Sequence, residues 1–556
     1  MGEGETDGLV WTLDTGHFPD PVTRWSSHLY TKTQTAIIAG LMAETGALLD
    51  SVASRELDGR VYTALVPLGG RVRPPSPRWL VPILCRTTPL LRQRLAAAHA
   101  ADVTDWSGQV VADWYGGKED ELLERGRGFL AGDLTALTSA QVATRLEEQL
   151  RFVEDSLAWH FRLHVAGADA IGRLGLDLTE QHGWSALEVM DLFTGLSAAT
   201  TDPAEAQRAI TERVREAGAI DALDAADTLA DVAATSRSVA AALQAYQDRW
   251  GQRAVRYEVA HPTIVERPEW LLRQLKAAAR APAGTTDLAA RHEAARTRAE
   301  ARLIATLGNS SFTRRRLVRA QRAFPLRDGN ETATIGIPIA GLRRLGLHIS
   351  ERLGLHRPED AFDLTFDEVV EALRHPERGS GAASLALPRR EERERLAAKA
   401  APPMLGRPAG APAPNPDLRG YPRAPAEQLA ALLWYFEQIS GPPSRAASVD
   451  QAVRGLGVSP GIYEGTARVI RDEDDFEHLE PGDVMVCPNT SPVWSVVLPC
   501  IGALVCDGGG ALSHPAIAAR ELAIPAVVAT GNATATIIDG TRVRVDGKSG
   551  EVALLS

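Results

Sequence analysis

The stretch Cys506–Gly531, CDGGGALSHPAIAARELAIPAVVATG, decides how this chain is read. Gly508, Gly509 and Gly510 let the backbone enter positive φ and come close to a ligand. They deliver Ser513 and His514 to a short helix expected over 515–522. Pro515 would be its first residue, where a missing N–H costs nothing. An imidazole at that place faces the positive end of a helix dipole, a position suited to an anion. Pro525 ends the helical run and 526–528 reads as a strand.

The chain has 556 residues, too many for one core, so two or three domains are expected. With 44% hydrophobic and 24% charged residues it has the balance of an ordinary globular protein. A formal charge of −11 gives no support for a nucleic-acid or membrane partner. No apolar run reaches the length of a membrane span, and MGEGETDG does not read as a signal peptide. Cys85, Cys487, Cys500 and Cys506 fit neither a zinc site nor a disulfide framework; reduced thiols and a cytoplasmic location are expected.

GGGALSHPAIAARELAIPAVV resembles the phosphohistidine segment of the phosphoenolpyruvate-utilising superfamily, whose members include the rifampicin phosphotransferases and phenylphosphate synthase. The resemblance implies that His514 carries a phosphoryl group on a small swivelling α/β domain. GLGVSPGIYEGTARVI and the segment Thr490 to Trp494 resemble the earlier parts of that domain, placed at 451–556.

Residues 1–375 read as one mainly helical, substrate-binding domain. Thr138 and Gln141 form a capping box before a helix whose apolar face carries Val142, Leu146, Leu150, Val153 and Leu157. His160 and His164 continue that face. Their spacing suits a metal pair, yet HFRLH lacks the glutamate of HExxH and a third ligand, so pocket lining or plain packing is preferred and no metal is assigned. Asp202, Pro203 and Glu205 suggest another helix start. Residues 376–450, with the charged run RREERERLAAKA and a Pro/Ala-rich tract, read as a linker whose charges form a solvated face.

Further segments resemble the same family. The N-terminal WTLDTGHFPDPVTRW looks like the start of its substrate domain, where His17 could line a pocket. Trp250, Gly251, Arg253 and Glu258 match a pattern in which a glutamate follows a Tyr/Trp-Gly-His-Arg turn, with Gln252 at the histidine's place. Gln cannot accept a proton at neutral pH, so any base function there is lost. An Arg–Glu pair pinning two elements is the structural alternative. PLRDGNE resembles the family's Arg/Glu segment, which implies roles for Arg327, Asp328 and Glu331. Arg offers a planar fork to phosphoryl oxygens, and a carboxylate can orient an attacking hydroxyl.

No GxxxxGK loop is present, and the start resembles the point at which an ATP-grasp domain ends. ATP and Mg²⁺ are therefore expected to enter through a separate ATP-grasp partner, with no cofactor assigned to this chain. No pyruvate domain follows 556, so phosphoenolpyruvate is not the expected substrate. The principal expectation is a phosphotransferase component acting on a hydroxyl of a small natural-product or aromatic molecule. The alternative is a dehydratase or isomerase, ATP-independent or phosphorylation-coupled, using His514 and Glu331 as acid and base. A non-catalytic binding module is the third possibility.

Overall fold

Residues 8–72, 76–254, 256–280, 288–376, 381–406, 418–441, 453–490, 494 and 497–555 are described by the computed structural model. Parts of the MGEGETDG, Pro/Ala-rich, SGPPSRAAS and Thr490–Trp494 segments lie outside them, including Ser491, Pro492 and Val493. A large helical N-terminal region is followed by a smaller α/β region. The chain divides into two units: Met1–Asp169, Arg256–Pro262 and Asn330–Leu433 form the first, and Ala170–Val255, Thr263–Gly329 and Trp434–Ser556 form the second.

In the first unit, Thr138 and Gln141 satisfy each other's backbone N–H groups, at 3.3 and 2.8 Å, and launch helix α1 (Ser139–His182). Val142, Leu146, Val153 and Leu157 are fully buried on it. Its residues 170–182 count with the second unit. A small antiparallel sheet runs in the order β2-β3-β1-β4, from β1 (Trp11–Leu13), β2 (Leu49–Leu57), β3 (Arg60–Pro67) and β4 (Met404–Leu405). Asp58 and Gly59, both at positive φ, make the two-residue turn between β2 and β3.

The charged run of 389–400 is not simply a solvated face. On the helix Gly381–Ala397, Arg389 grips Glu368 through two bonds of 2.6 and 2.8 Å. Arg393 grips Asp363 at 2.9 and 2.8 Å, and buried Arg390 pairs with buried Asp360. Alternate arginines thus tie the helix to 360–368 through partners that lie far off in sequence.

The second unit contains helix α2 (Ala198–Glu216), α3 (Arg237–Trp250) and α4 (Pro268–Arg280). Helix α2 is capped at Ser197 and not at Asp202: Pro203, which has no N–H to bond, lies inside it, and Asp202 instead pairs with Arg249 at 2.8 Å. Eight strands follow: β5 (Val453–Arg454), β6 (Leu456–Ser459), β7 (Ile462–Val469), β8 (Val484–Cys487), β9 (Ala503–Cys506), β10 (Ala526–Val528), β11 (Arg542–Asp546) and β12 (Glu551–Leu554). Their order is β5-β12-β11-β7-β8-β9-β10-β6. The two end strands are separated only by Gly455, so the sheet curls into a near-closed barrel.

Strands β8 (VMVC) and β9 (ALVC) are buried on both faces, as central parallel strands must be. Val484, Val486, Ala503 and Val505 join one core with Val527, Val543, Val545 and Val552. Met485, Cys487, Leu504 and Cys506 turn the other way, into a core shared with Trp270, Phe476, Trp494 and Ile517's neighbours Ala516 and Ala518.

The Arg390–Asp360 pair gives a stability test. Replacing Arg390 by Leu leaves the buried Asp360 carboxylate without its cation, still bonded by the Arg357 N–H, and should cost about 3–5 kcal/mol in chemical denaturation. The double variant R390L/D360L should recover most of the loss; a single variant as stable as the native protein contradicts the assignment.

Candidate functional site

Strand β9 ends at Cys506 and the chain enters the glycine loop. Gly509 has a φ of 97°, and a Cβ there would lie 2.7 Å from the Ser513 Oγ. At Gly510 a Cβ would lie 2.4 Å from the carbonyl oxygen of Gln438. That closeness is used: the Gly510 N–H donates to the Ile439 carbonyl at 3.0 Å, and the Leu512 N–H to Gln438 at 2.8 Å. Both acceptors lie on helix α5 (Arg423–Ser440). Gly508 donates to the Pro488 carbonyl at 2.9 Å, tying the loop to the end of β8. The glycines therefore serve close backbone approach at two of three positions and φ at one.

Ser513 caps helix α6 (His514–Glu521) by position, but its hydroxyl donates to the Gly510 carbonyl at 2.7 Å and not to the helix. His514 is the first helical residue and Pro515 the second, one step earlier than expected. The imidazole is 7% exposed, and its Nδ1 lies 3.1 Å from the Thr490 Oγ1. Thr490 carried a motif match in the sequence, but no feature there marks it as the partner of the ring.

Arg327 and Asp328 sit on the short helix Leu326–Gly329 of the same unit, 3.2 Å apart, Asp328 buried and Arg327 largely so. Asp328 Oδ2 has no hydrogen-bond partner among the described residues. Burial drives the His514 imidazole down to about 4; Asp328 pulls it upward, while Arg327 and Arg253 push it further down. Arg253, buried after the turn at Gly251, is thus placed with His514, whereas Gln252 is only half-buried beside it. Tyr435 on α5, fully buried, feels the same pair: burial pushes its hydroxyl up to about 12, with Arg327 opposing and Asp328 adding to the shift. Nothing in the sequence singles Tyr435 out.

The remaining expected residues belong to the first unit. Glu331 accepts a 2.7 Å bond from the Tyr257 hydroxyl. The Tyr257 ring packs edge-on against His17, with centroids 5.0 Å apart, and His17 also pairs with Asp14 at 2.9 Å. His160 Nδ1 lies 2.8 Å from Asn330 Oδ1, and the His160 and His164 rings are 4.4 Å apart. Glu258 is buried; it accepts from the Thr23 N–H at 3.0 Å and hydroxyl at 2.6 Å and from the Ala260 N–H at 3.1 Å. Those bonds pin the start of the helix Arg24–Ser27. Among the described residues no group of three or more His, Cys, Asp or Glu is placed to hold a metal.

The depressed His514 value has a stability consequence. Unfolded His514 takes its proton near pH 6.5 and folded His514 near pH 4, so stability falls as pH drops through that window. The loss is on the order of 3 kcal/mol. His514→Gln should flatten this part of the stability–pH profile; an unchanged slope contradicts the buried, neutral imidazole.

Sequence comparison agrees with this geometry. Residues 479–550 match the family described as PEP-utilising enzyme, mobile domain, and 160–328 match the rifampicin phosphotransferase fourth domain. A rifampicin phosphotransferase of Streptomyces sp is 32% identical over 329 residues, covering 57% of this chain and 34% of the relative. An uncharacterized phosphotransferase of Bacillus subtilis (strain 168) is 34% identical over 216 residues, 39% of this chain and 23% of the relative. A probable phosphoenolpyruvate synthase of Staphylothermus marinus is 47% identical over 102 residues, 18% of this chain and 12% of the relative. The chain thus spans about a third or less of the length of these relatives. Among the described residues no helix is long and apolar enough to cross a membrane. The chain thus carries one stretch similar to the mobile domain of PEP-utilising enzymes and one similar to the rifampicin phosphotransferase fourth domain.

Proposed function

We propose that His514 accepts a phosphoryl group from ATP on a separate ATP-grasp partner and passes it to a hydroxyl of a small natural-product or aromatic molecule. The supporting observation is the neutral imidazole at a helix N-terminus with Thr490 on Nδ1 and the charges of Arg327 and Arg253 acting on the ring. If the Nδ1–H donates to Thr490, the lone pair rests on Nε2, the nucleophilic nitrogen.

In the first step Nε2 would attack the γ-phosphorus as the bond to the β-phosphate oxygen breaks, with ADP the leaving group; the partner would hold the Mg²⁺ that offsets the phosphate charge. The phosphorus–nitrogen bond keeps the transfer potential high, so the second step needs mainly positioning and charge stabilisation. There the acceptor oxygen attacks phosphorus, the N–P bond breaks, and its electron pair returns to Nε2. The hydroxyl proton goes to a carboxylate; Asp328, with Oδ2 available, is the first candidate and Glu331, held by Tyr257, the second. Arg327 and Arg253 match the charge on the equatorial oxygens, which a guanidinium fork suits. His17, His160, His164, Gln252 and Glu258 are assigned to substrate binding, with Glu258 also bracing the fold through Thr23.

Incubation with γ-labelled ATP, Mg²⁺ and a candidate ATP-grasp protein tests this. The account expects acid-labile label on His514 and none in His514→Ala. Arg327→Ala should still load but discharge to the acceptor about 10²–10³-fold more slowly. An unlabelled His514, or turnover of an acceptor by this chain without ATP, would support the acid–base alternative instead.

A further inference from the structure

We infer that Arg520 and Glu521, at the far end of the helix that begins with His514, form a lock that seats this helix on the segment Leu187–Ser197 and thereby aims the imidazole. The inference rests on the phosphohistidine reading above. Neither residue takes part in the chemistry just described.

The contacts are specific. The Gly195 N–H donates to both oxygens of Glu521, at 3.0 and 3.1 Å. Gly195 has a φ of 77°, and a Cβ there would lie 2.7 Å from the Cβ of His292, so the approach requires glycine. His292 Nδ1 stands 3.6 Å from the second Glu521 oxygen. Arg296 braces the same turn by donating to the Thr194 carbonyl at 2.7 Å. Beside them Arg520 donates to Asp191 at 2.6 Å and to the Leu187 carbonyl at 3.4 Å.

Glu521 is 2% exposed. Burial raises its carboxyl to about 7, against the backbone N–H bonds from Gly195 and Ser197, and burial also lowers the Arg520 guanidinium. Both groups have therefore given up water at this contact. The Gly195 N–H compensates the desolvated Glu521 carboxylate, and half-exposed Asp191 compensates the Arg520 guanidinium. The helix has eight residues; His514 and Glu521 stand about 10 Å apart along it. Fixing its last residue thus fixes the direction of its first.

Amide hydrogen exchange on the full chain tests the lock. In Arg520→Asp, the Gly195 amide should lose protection, and so should the Gly510 and Leu512 amides, which bond to α5 at the opposite end of the helix. The swap D191R/R520D should restore protection at all three. Asp191, whose side chain is 50% exposed, provides a mild second variant: Asp191→Asn should deprotect the same amides to a lesser degree if Arg520→Asp does not fold. Loss confined to Gly195, with Gly510 and Leu512 unchanged, would reduce the contact to local packing and overturn the inference. With a loading partner in hand, Arg520→Asp should label on His514 as before but discharge at least tenfold more slowly. Failure of His514 to label sinks the phosphohistidine reading and leaves the exchange result standing; unchanged exchange sinks only the lock.

Discussion

The phosphoryl carrier proposed here has to be a neutral imidazole, and burial holds the His514 ring neutral by taking it out of water. Burial is the largest influence on His514; Arg327 and Arg253 act in the same direction, and only the smaller pull of Asp328 opposes it. The rest of the second unit follows from that constraint. Gly509 and Gly510 must be glycine because the Ser513 hydroxyl and the Gln438 carbonyl of α5 leave no room for a Cβ there. The helix starts at His514, which puts the ring at its positive end, where the proposed phosphoryl group would be favoured. Strands β8 and β9 must be buried on both faces, because they supply from beneath the Thr490 and Gly508 segments that hold the ring and the loop.

The same burial places cations where the chemistry needs them. Arginines next to an imidazolium would repel it; next to a neutral ring they cost nothing of that kind, and next to a phosphoryl group they attract. One arrangement thus disfavours protonation and favours phosphorylation. Asp328 moderates the field and, through Oδ2, offers an acceptor for a proton. Electrostatics of this sort act through groups already fixed in position, which is why so few residues suffice.

Much of this was legible in the sequence, for physical reasons. The run 526–528 is short, apolar and preceded by Pro525, the mark of a buried strand, and the GGG-ALSH loop announces its own geometry. The Thr138–Gln141 box and Arg327–Asp328 were visible because their partners are near in sequence or carried a family motif. What stayed hidden depends on distant partners. RREERERL looked solvated because Asp360, Asp363 and Glu368 lie some way upstream, and Asp202 looked like a cap because its partner Arg249 lies on another helix. An Arg253–Glu258 pair is one of two alternatives that the motif offers, whereas the Glu258 carboxylate accepts from Thr23 and Ala260. Tyr435 and Gly195 matter only through what approaches them, which no local pattern encodes.

The ring nitrogens of His514 report most directly on the central claim. With ¹⁵N-labelled histidine in the full chain at neutral pH, the account predicts a neutral His514 ring protonated on Nδ1, with a bare Nε2, and no titration until the pH approaches 4. A His514 imidazolium at neutral pH, or a ring protonated on Nε2, would contradict it.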